Sequence, residues 1–207
     1  MIISFLSQKG GVGKSSLART CAVEFTRAGW RTLLADIDSS QITSNRWAEQ
    51  RRNIANIEPQ IITEVFSTTH QALAKASDFD LMVIDGAPHA TRGTQEAAEY
   101  SDLVVLPTGS SLDDLEPSVL LANELAKSLN SEKIVFALYK TTSEAQERES
   151  RATIEGYGYT VLEGAVPMKT GYIAAFDAGF CATETKYERL NEQALVLINN
   201  IATRITE

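Results

Sequence analysis

The stretch that decides the fold lies close to the N-terminus and consists of Ser7-Gln8-Lys9-Gly10-Gly11-Val12-Gly13-Lys14-Ser15-Ser16. An apolar, β-prone run precedes it at residues 2–6, and a helical pattern begins near Lys14. A strand, a glycine-rich loop and a helix N-terminus in this order are the context of a phosphate-binding P-loop. The glycines let the backbone curl so that successive N–H groups point at phosphate oxygens, and the helix start adds positive potential there. A glycine-rich turn without a ligand is the alternative, and the Gly-x-Gly-Lys-Ser pattern after a buried strand argues against it.

The side chains of this loop predict a nucleotide site with a divalent cation. We expect Lys14 to reach the β- and γ-phosphates and the hydroxyl of Ser15 to ligate Mg²⁺. The residues predicted to line the phosphates are Gly10, Gly11, Val12, Gly13, Lys14, Ser15 and Ser16.

Acidic side chains follow two other apolar runs. Asp36 and Asp38 lie at the end of the run at residues 32–37, and Asp85 follows the run at residues 81–84. A P-loop enzyme needs such groups to hold Mg²⁺ and to orient the attacking water. Because ligands of open α/β sheets lie at the carboxyl ends of the strands, we expect these aspartates to face the nucleotide. Alternating side-chain direction predicts that Asp36 and Asp38 face the same way, while a helix N-cap or turn is the alternative role.

The order of apolar runs and helical patterns predicts an α/β fold. The β-prone runs lie at residues 2–6, 32–37, 60–63, 81–84, 103–106, 134–138 and 160–162. The helical patterns lie at residues 14–28, 41–55, 68–77, 93–99, 113–129, 144–156 and 186–205. Several β-prone runs are apolar throughout, which is typical of strands buried on both faces of a parallel sheet. We therefore expect a doubly wound, mostly parallel sheet of about seven strands flanked by helices, in one P-loop domain over residues 1–207.

The loop departs from the usual P-loop pattern at two positions. Gln8 stands where a glycine is usual, and Lys9 is an additional lysine. In this respect the loop resembles the deviant Walker A motif of the ParA/MinD family of ATPases, and the resemblance extends from Met1 to the region of Pro167. It implies that the nucleotide is ATP or ADP and that Lys9 reaches across a dimer interface to the partner's nucleotide. A solvated loop lysine is the alternative interpretation of Lys9 taken alone.

The same resemblance assigns roles to the acidic residues and to the base site. Asp38 would position the hydrolytic water, and Asp85 would be the Walker B aspartate that holds Mg²⁺ through water. The implied catalytic residues are Lys9, Lys14, Asp38 and Asp85, and the implied metal site is Ser15, Asp38 and Asp85. The base is expected beside residues 139–141 and 166–168, with Pro167 and Met168 as contacts.

The loops that follow Asp38 and Asp85 both depart from the family pattern, so we expect their conformations to differ in detail from those of the family. Ser39 stands where the family usually has proline, and Gly86-Ala87-Pro88 stands where many members have Thr-Pro-Pro.

Within the family, the chain is most similar to the short plasmid-partition ParA type, which is ParF-like. Cys21 and Cys181 do not form the cysteine pairs that the iron–sulfur branches need. The resemblance implies an ATPase whose ATP-bound homodimer partitions or positions DNA, binds DNA nonspecifically, and is stimulated by a small centromere-binding or adaptor protein. A positioning ATPase for a protein cargo and a P-loop small-molecule kinase or ligase stay open as alternatives.

Composition limits the surface and the compartment. The 27 acidic and 19 basic residues give a net charge of −8, which argues against a surface built wholly for nucleic acid but allows a local basic patch. No run approaches the ~18 apolar residues of a membrane span, and the apolar stripe of the last helix is expected to pack on the core. We therefore expect a cytoplasmic protein with no membrane partner, nucleoid-associated where it binds DNA.

Overall fold

The computed structural model describes residues 1–53, 57–88 and 92–206 of the chain. Within these residues it has seven β-strands and eight α-helices. The strands are β1 (Ile2–Phe5), β2 (Thr32–Asp36), β3 (Ile62–Val65), β4 (Leu81–Asp85), β5 (Leu103–Thr108), β6 (Ile134–Thr141) and β7 (Thr160–Pro167). The helices are α1 (Lys14–Arg27), α2 (Thr43–Asn53), α3 (Thr69–Leu73), α4 (Arg92–Tyr100), α5 (Leu112–Leu125), α6 (Glu144–Gly156), α7 (Thr170–Asp177) and α8 (Glu188–Thr206).

The seven strands form one sheet in the order β3-β2-β4-β1-β5-β6-β7, and every pair of neighbours is parallel. After β1 the chain forms β2, β3 and β4 on one side of β1. It then crosses over β1 and forms β5, β6 and β7 on the other side. The carboxyl end of β1 is therefore the point where the winding direction reverses, which is where ligands bind in such sheets. This confirms the predicted doubly wound α/β fold.

Each face of the sheet has its own hydrophobic core. In β4, Leu81 and Val83 pack with residues of α1, α2 and α8, while Met82 and Ile84 pack with residues of α3 to α6. A strand covered on both faces must be apolar at every position, and this explains the continuous apolar runs of the sequence.

The elements differ from the sequence-based expectations mainly at their ends. β3 begins two residues later than the predicted run, and β6 and β7 continue to Thr141 and Pro167. The helix predicted at residues 41–55 is found as α2, and residues 54 and 55 lie outside the described residues. Helix α7 was not predicted, because it is short and contains Gly171, so that packing of Tyr172 and Ala175 decides its conformation rather than propensity.

The last helix packs on the core, as predicted. Ala194, Leu197, Ile198 and Ile201 of α8 are buried in the core on the same side as α1. In the part of the chain that the structure describes, no helix combines the length and the apolar composition that a membrane span needs.

The far end of α2 is held by a buried ion pair. Arg51 is fully buried, and its guanidinium donates hydrogen bonds of 2.7 and 2.8 Å to the carboxylate of Glu184. It also donates to the carbonyls of Pro59 and Gly179. Burial alone would raise the pKa of Glu184, but the hydrogen bonds and charge of Arg51 outweigh it and hold that pKa below its ordinary value. The pair joins α2 to the segment between α7 and α8.

Replacing Arg51 with methionine is expected to lower the free energy of unfolding by about 3 kcal/mol, because Glu184 would lose both hydrogen bonds from Arg51 and keep only the more exposed Arg27 as a cation. Urea denaturation at neutral pH measures the loss, and Arg52→Met is the matched control because Arg52 is exposed. Since the pKa of Glu184 is lowered in the folded state, the stabilisation is present above the ordinary value of 4.5 and is lost as the pH falls through the folded pKa. A difference between wild type and variant that stays constant into acid would contradict this assignment.

Candidate nucleotide-binding site

The P-loop connects β1 to α1 and has the backbone conformation of an anion site. Gly11 and Gly13 have φ angles of 79° and 106°, in the left-handed region that favours glycine. Within the described part of the chain, the N–H groups of residues 10–13 have no hydrogen-bond acceptor. The first N–H groups of α1 have no intrahelical acceptor either, as at every helix start. The loop thus offers a row of free donors, which is the arrangement that binds phosphate.

Lys14 lies within this loop with its side chain largely buried. It is 8% exposed, and its ammonium donates a hydrogen bond of 3.3 Å to the carbonyl of Lys9. Burial lowers the pKa of Lys14, and the charges of Asp85 and Asp38 oppose that shift. A buried ammonium with one long hydrogen bond can exchange that acceptor for phosphate oxygens, as the sequence predicts.

Ser15 and Asp85 meet at the predicted metal site. The hydroxyl of Ser15 donates to Oδ1 of Asp85 at 3.1 Å, and Asp85 is 1% exposed. Burial raises the pKa of Asp85 to about 6, against the hydrogen bond from Ser44. Among the described residues, no group of three or more histidine, cysteine or acidic side chains could hold a metal by itself. The donor set fits Mg²⁺, which commonly takes one or two carboxylates together with water and phosphate oxygens.

Asp36 and Asp38 differ in surroundings, because β2 ends at Asp36 and strand alternation does not extend to Asp38. Asp36 is fully buried and accepts hydrogen bonds from the N–H groups of Ser44 and Asn45 in the first turn of α2. Asp38 is half-buried, and its Oδ1 accepts from the N–H and hydroxyl of Ser40. Asp36 is thus a helix-capping residue, and Asp38 keeps its other carboxylate oxygen without a hydrogen bond within the described chain.

Ser44 and Arg19 belong to the site although sequence reasoning missed them. The hydroxyl of Ser44 donates to Oδ2 of Asp85 at 2.6 Å and accepts from Nε of Arg19 at 3.0 Å. Through Ser44, α2 therefore contacts the carboxylate of β4 directly. The signal that could have found Ser44 is a serine at the start of the helix that follows Asp36 and Asp38.

Lys9 extends away from the P-loop to the start of α5. Its ammonium lies 2.6 Å from Oδ1 of Asp114 and donates to the carbonyl of Asp113 at 3.2 Å. The hydrogen bond with Asp114 raises the pKa of Lys9. The Lys9 side chain is 42% exposed, so the pair lies at the surface.

The two segments predicted to contact the base lie side by side. Thr141 pairs with Pro167 across β6 and β7, and the N–H of Met168 donates to the carbonyl of Thr141 at 2.9 Å. Met168 is 58% exposed and lines a cavity of about 300 Å³ together with Gly10 and Gly11 of the P-loop. The structure therefore brings the expected base and phosphate residues to one edge of the sheet.

Residues 3–179 match the family described as the CobQ/CobB/MinD/ParA nucleotide binding domain. The chain belongs to this family. A relative named Protein ParA from Rhizobium radiobacter is 24% identical over 197 residues, which covers 86% of this chain and 83% of that protein. The predicted resemblance to the ParA/MinD ATPases is therefore confirmed.

Solved structures with the same fold cover nearly the whole chain. The septum site-determining protein MinD of Pyrococcus horikoshii OT3, complexed with Mg-ADP, superposes with a TM-score of 0.75 at 16% identity, covering 97% of this chain and 95% of that chain. A candidate plasmid partition protein of Borrelia burgdorferi B31, bound to AMPPNP, superposes with a TM-score of 0.72 at 16% identity, covering 98% of both chains. As a ParA/MinD family member, this protein is of the P-loop ATPase type.

The contrast between Asp36 and Asp38 gives a paired prediction. Asp36→Ala is expected to lower the free energy of unfolding by about 2 kcal/mol, because two N–H groups of α2 would lose their buried acceptor. Asp38→Ala is expected to change it by less than about 1 kcal/mol and to slow ATP hydrolysis while ATP still binds. Thermal unfolding and phosphate release, measured on both variants, test the pair. Turnover at the wild-type rate in Asp38→Ala would mean that another group orients the water.

Proposed function

We propose that the protein is an ATP-dependent, dimerising ATPase of the ParA type that partitions DNA and is reset by partner-stimulated hydrolysis. In this proposal the P-loop and Lys14 bind the phosphates of ATP, and Pro167 and Met168 lie against the base. Ser15 and Asp85 hold Mg²⁺, Asp38 contacts the metal site and orients the attacking water, and Lys9 acts across the dimer. When bound, Mg²⁺ would neutralise charge that develops on the phosphates.

The position of Lys9 is the observation that supports this proposal best. Lys14 is buried within the loop, whereas the ammonium of Lys9 lies at the surface beside α5. A small-molecule kinase has no need for this second lysine. Exposed ion pairs contribute little stability. Lys9 could therefore exchange Asp114 for a phosphate of the nucleotide bound to a second subunit at little cost in free energy.

A nucleotide-dependent dimer is the first consequence. Light scattering after size-exclusion chromatography should give a monomer with ADP and a dimer with a nonhydrolysable ATP analogue, and Lys9→Ala should stay monomeric with either. Lys127→Ala is the control, since Lys127 is an exposed lysine of the segment after α5. A mass that nucleotide does not change would contradict the sandwich dimer. The alternative of a small-molecule kinase or ligase would then be tested by phosphate transfer to an acceptor other than water.

A cationic groove supports DNA as the cargo. Arg148 of α6, Lys169 before α7 and Arg189 of α8 line a cavity of about 680 Å³. None of the three side chains has a hydrogen bond or ion pair within the described residues, so their charges are free to contact phosphates. Glu144 and Glu147 line the same groove, and Glu147 is paired with Arg151. This local excess of positive charge contrasts with the chain's net charge of −8.

Neutralising this groove should weaken DNA binding. The triple variant Arg148→Ala, Lys169→Ala and Arg189→Ala is expected to lose ATP-dependent binding to nonspecific duplex DNA. The slope of log affinity against log salt should become shallower by about 0.9 for each phosphate that the variant no longer neutralises. The matched control is the triple variant Arg52→Ala, Lys127→Ala and Arg204→Ala, which removes the same charge from exposed positions elsewhere. Equal binding by the two triple variants would exclude the groove as the DNA-binding surface.

A protein cargo is the second candidate, favoured by the similarity to the septum site-determining protein MinD. The same nucleotide switch would then act on a protein assembly through an adaptor. A wild-type protein that dimerises with the ATP analogue but ignores DNA even at low salt would favour this candidate over DNA partition.

A further inference from the structure

Lys140, near the end of β6, has an unusual backbone conformation, and its side chain contacts the P-loop. Its φ angle is 58°, so a lysine occupies the left-handed region that disfavours residues with a Cβ. The ammonium of this lysine donates a hydrogen bond of 3.1 Å to the carbonyl oxygen of Gly11, and it lies 5.8 Å from the centre of the Tyr139 ring. Backbone strain of this kind persists only where the surrounding structure maintains it, and it is concentrated at functional sites.

The neighbouring residue supports the next part of the same loop. A Cβ on Gly13 would lie 2.4 Å from two carbons of the Tyr139 ring, so the ring lies directly against the P-loop backbone. Tyr139 is 5% exposed; burial raises the pKa of its hydroxyl, and the side chain of Ser16 opposes that shift. Tyr139 and Lys140 together contact the loop at Gly13 and Gly11.

The hydrogen bond to Gly11 has a consequence for the phosphate site. The carbonyl of Gly11 and the N–H of Val12 belong to one planar peptide unit, in which they point in opposite directions. When Lys140 holds the carbonyl on its own side of the loop, the N–H of Val12 must point to the other side. A flipped peptide would instead present a carbonyl oxygen where the loop needs a donor, and it would repel phosphate.

We propose that Lys140 is a positioning residue that fixes the Gly11–Val12 peptide in the orientation that binds phosphate. Lys140 acts through the P-loop backbone, and Tyr139 is the surface on which the loop rests. The inference rests on the proposed binding of ATP and adds a residue outside the P-loop to that site. Removal of the Lys140 ammonium is therefore expected to weaken nucleotide binding without a direct effect on the hydrolytic step.

The test compares Lys140→Met with Lys140→Arg, and Lys127→Met is the control for loss of an exposed lysine. In Lys140→Met, the KM for ATP is expected to rise about tenfold with kcat within about twofold of wild type. Lys140→Arg should recover most of the affinity, because a guanidinium can also donate to the Gly11 carbonyl. Melting temperatures should be similar in all three variants, since Lys140 is exposed. Wild-type affinity in Lys140→Met would overturn the proposal.

A second measurement separates positioning from direct contact with the nucleotide. Backbone order parameters of residues 10–13 are measured by NMR in the nucleotide-free protein. Lys140→Met should lower these order parameters relative to wild type and Lys127→Met. If affinity falls while the order parameters are unchanged, Lys140 contacts the nucleotide itself and the proposal is wrong. If wild type binds no ATP, the proposed function fails, whereas the order parameters still decide whether Lys140 orders the loop.

Discussion

The site depends on a set of backbone N–H groups that the fold leaves without acceptors. Polar backbone groups usually find partners in a folded chain, so a loop that keeps several donors free must be held in shape by its surroundings. The P-loop achieves this between a central strand and a buried helix, with left-handed glycines at positions 11 and 13. Two of its carbonyls are bonded instead, with Lys14 donating to Lys9 and Lys140 donating to Gly11. The free donors that remain suit a phosphate chain.

The acidic side of the site is built from three elements that meet at the same sheet edge. Ser44 of α2 contacts Asp85 of β4, which also accepts a hydrogen bond from Ser15 of α1. Asp36 holds the first turn of α2, and the Arg51–Glu184 pair holds its last turns. The loop between α7 and α8 therefore helps to position α2 at the predicted metal site, although it lies far from Ser44 in the sequence.

The contacts of this region are of two kinds: buried contacts that form a fixed frame around the site, and exposed contacts whose side chains can exchange partners. Buried ion pairs such as Arg51–Glu184 are costly to break by removal of one partner, whereas exposed pairs such as Lys9–Asp114 contribute little. The exchangeable groups are the ones that nucleotide or a second subunit would engage. Such a division would suit the proposed nucleotide switch, because the buried contacts would keep their geometry while Lys9 exchanged Asp114 for a phosphate.

Much of the site could be predicted from the sequence, because its signals are local. The glycines, Lys14 and Ser15 lie within one short segment, and continuous apolar runs indicate strands covered on both faces whatever their order. The placement of Asp85 beside Ser15 could be predicted because the carboxyl ends of parallel strands meet at one edge. The contacts of Ser44, Arg19, Tyr139 and Lys140, and the difference in surroundings between Asp36 and Asp38, were decided only by the tertiary structure. These side chains act through partners that are distant in sequence or depend on where a strand stops, and neither backbone propensity nor hydrophobic pattern encodes which partner a polar side chain will meet.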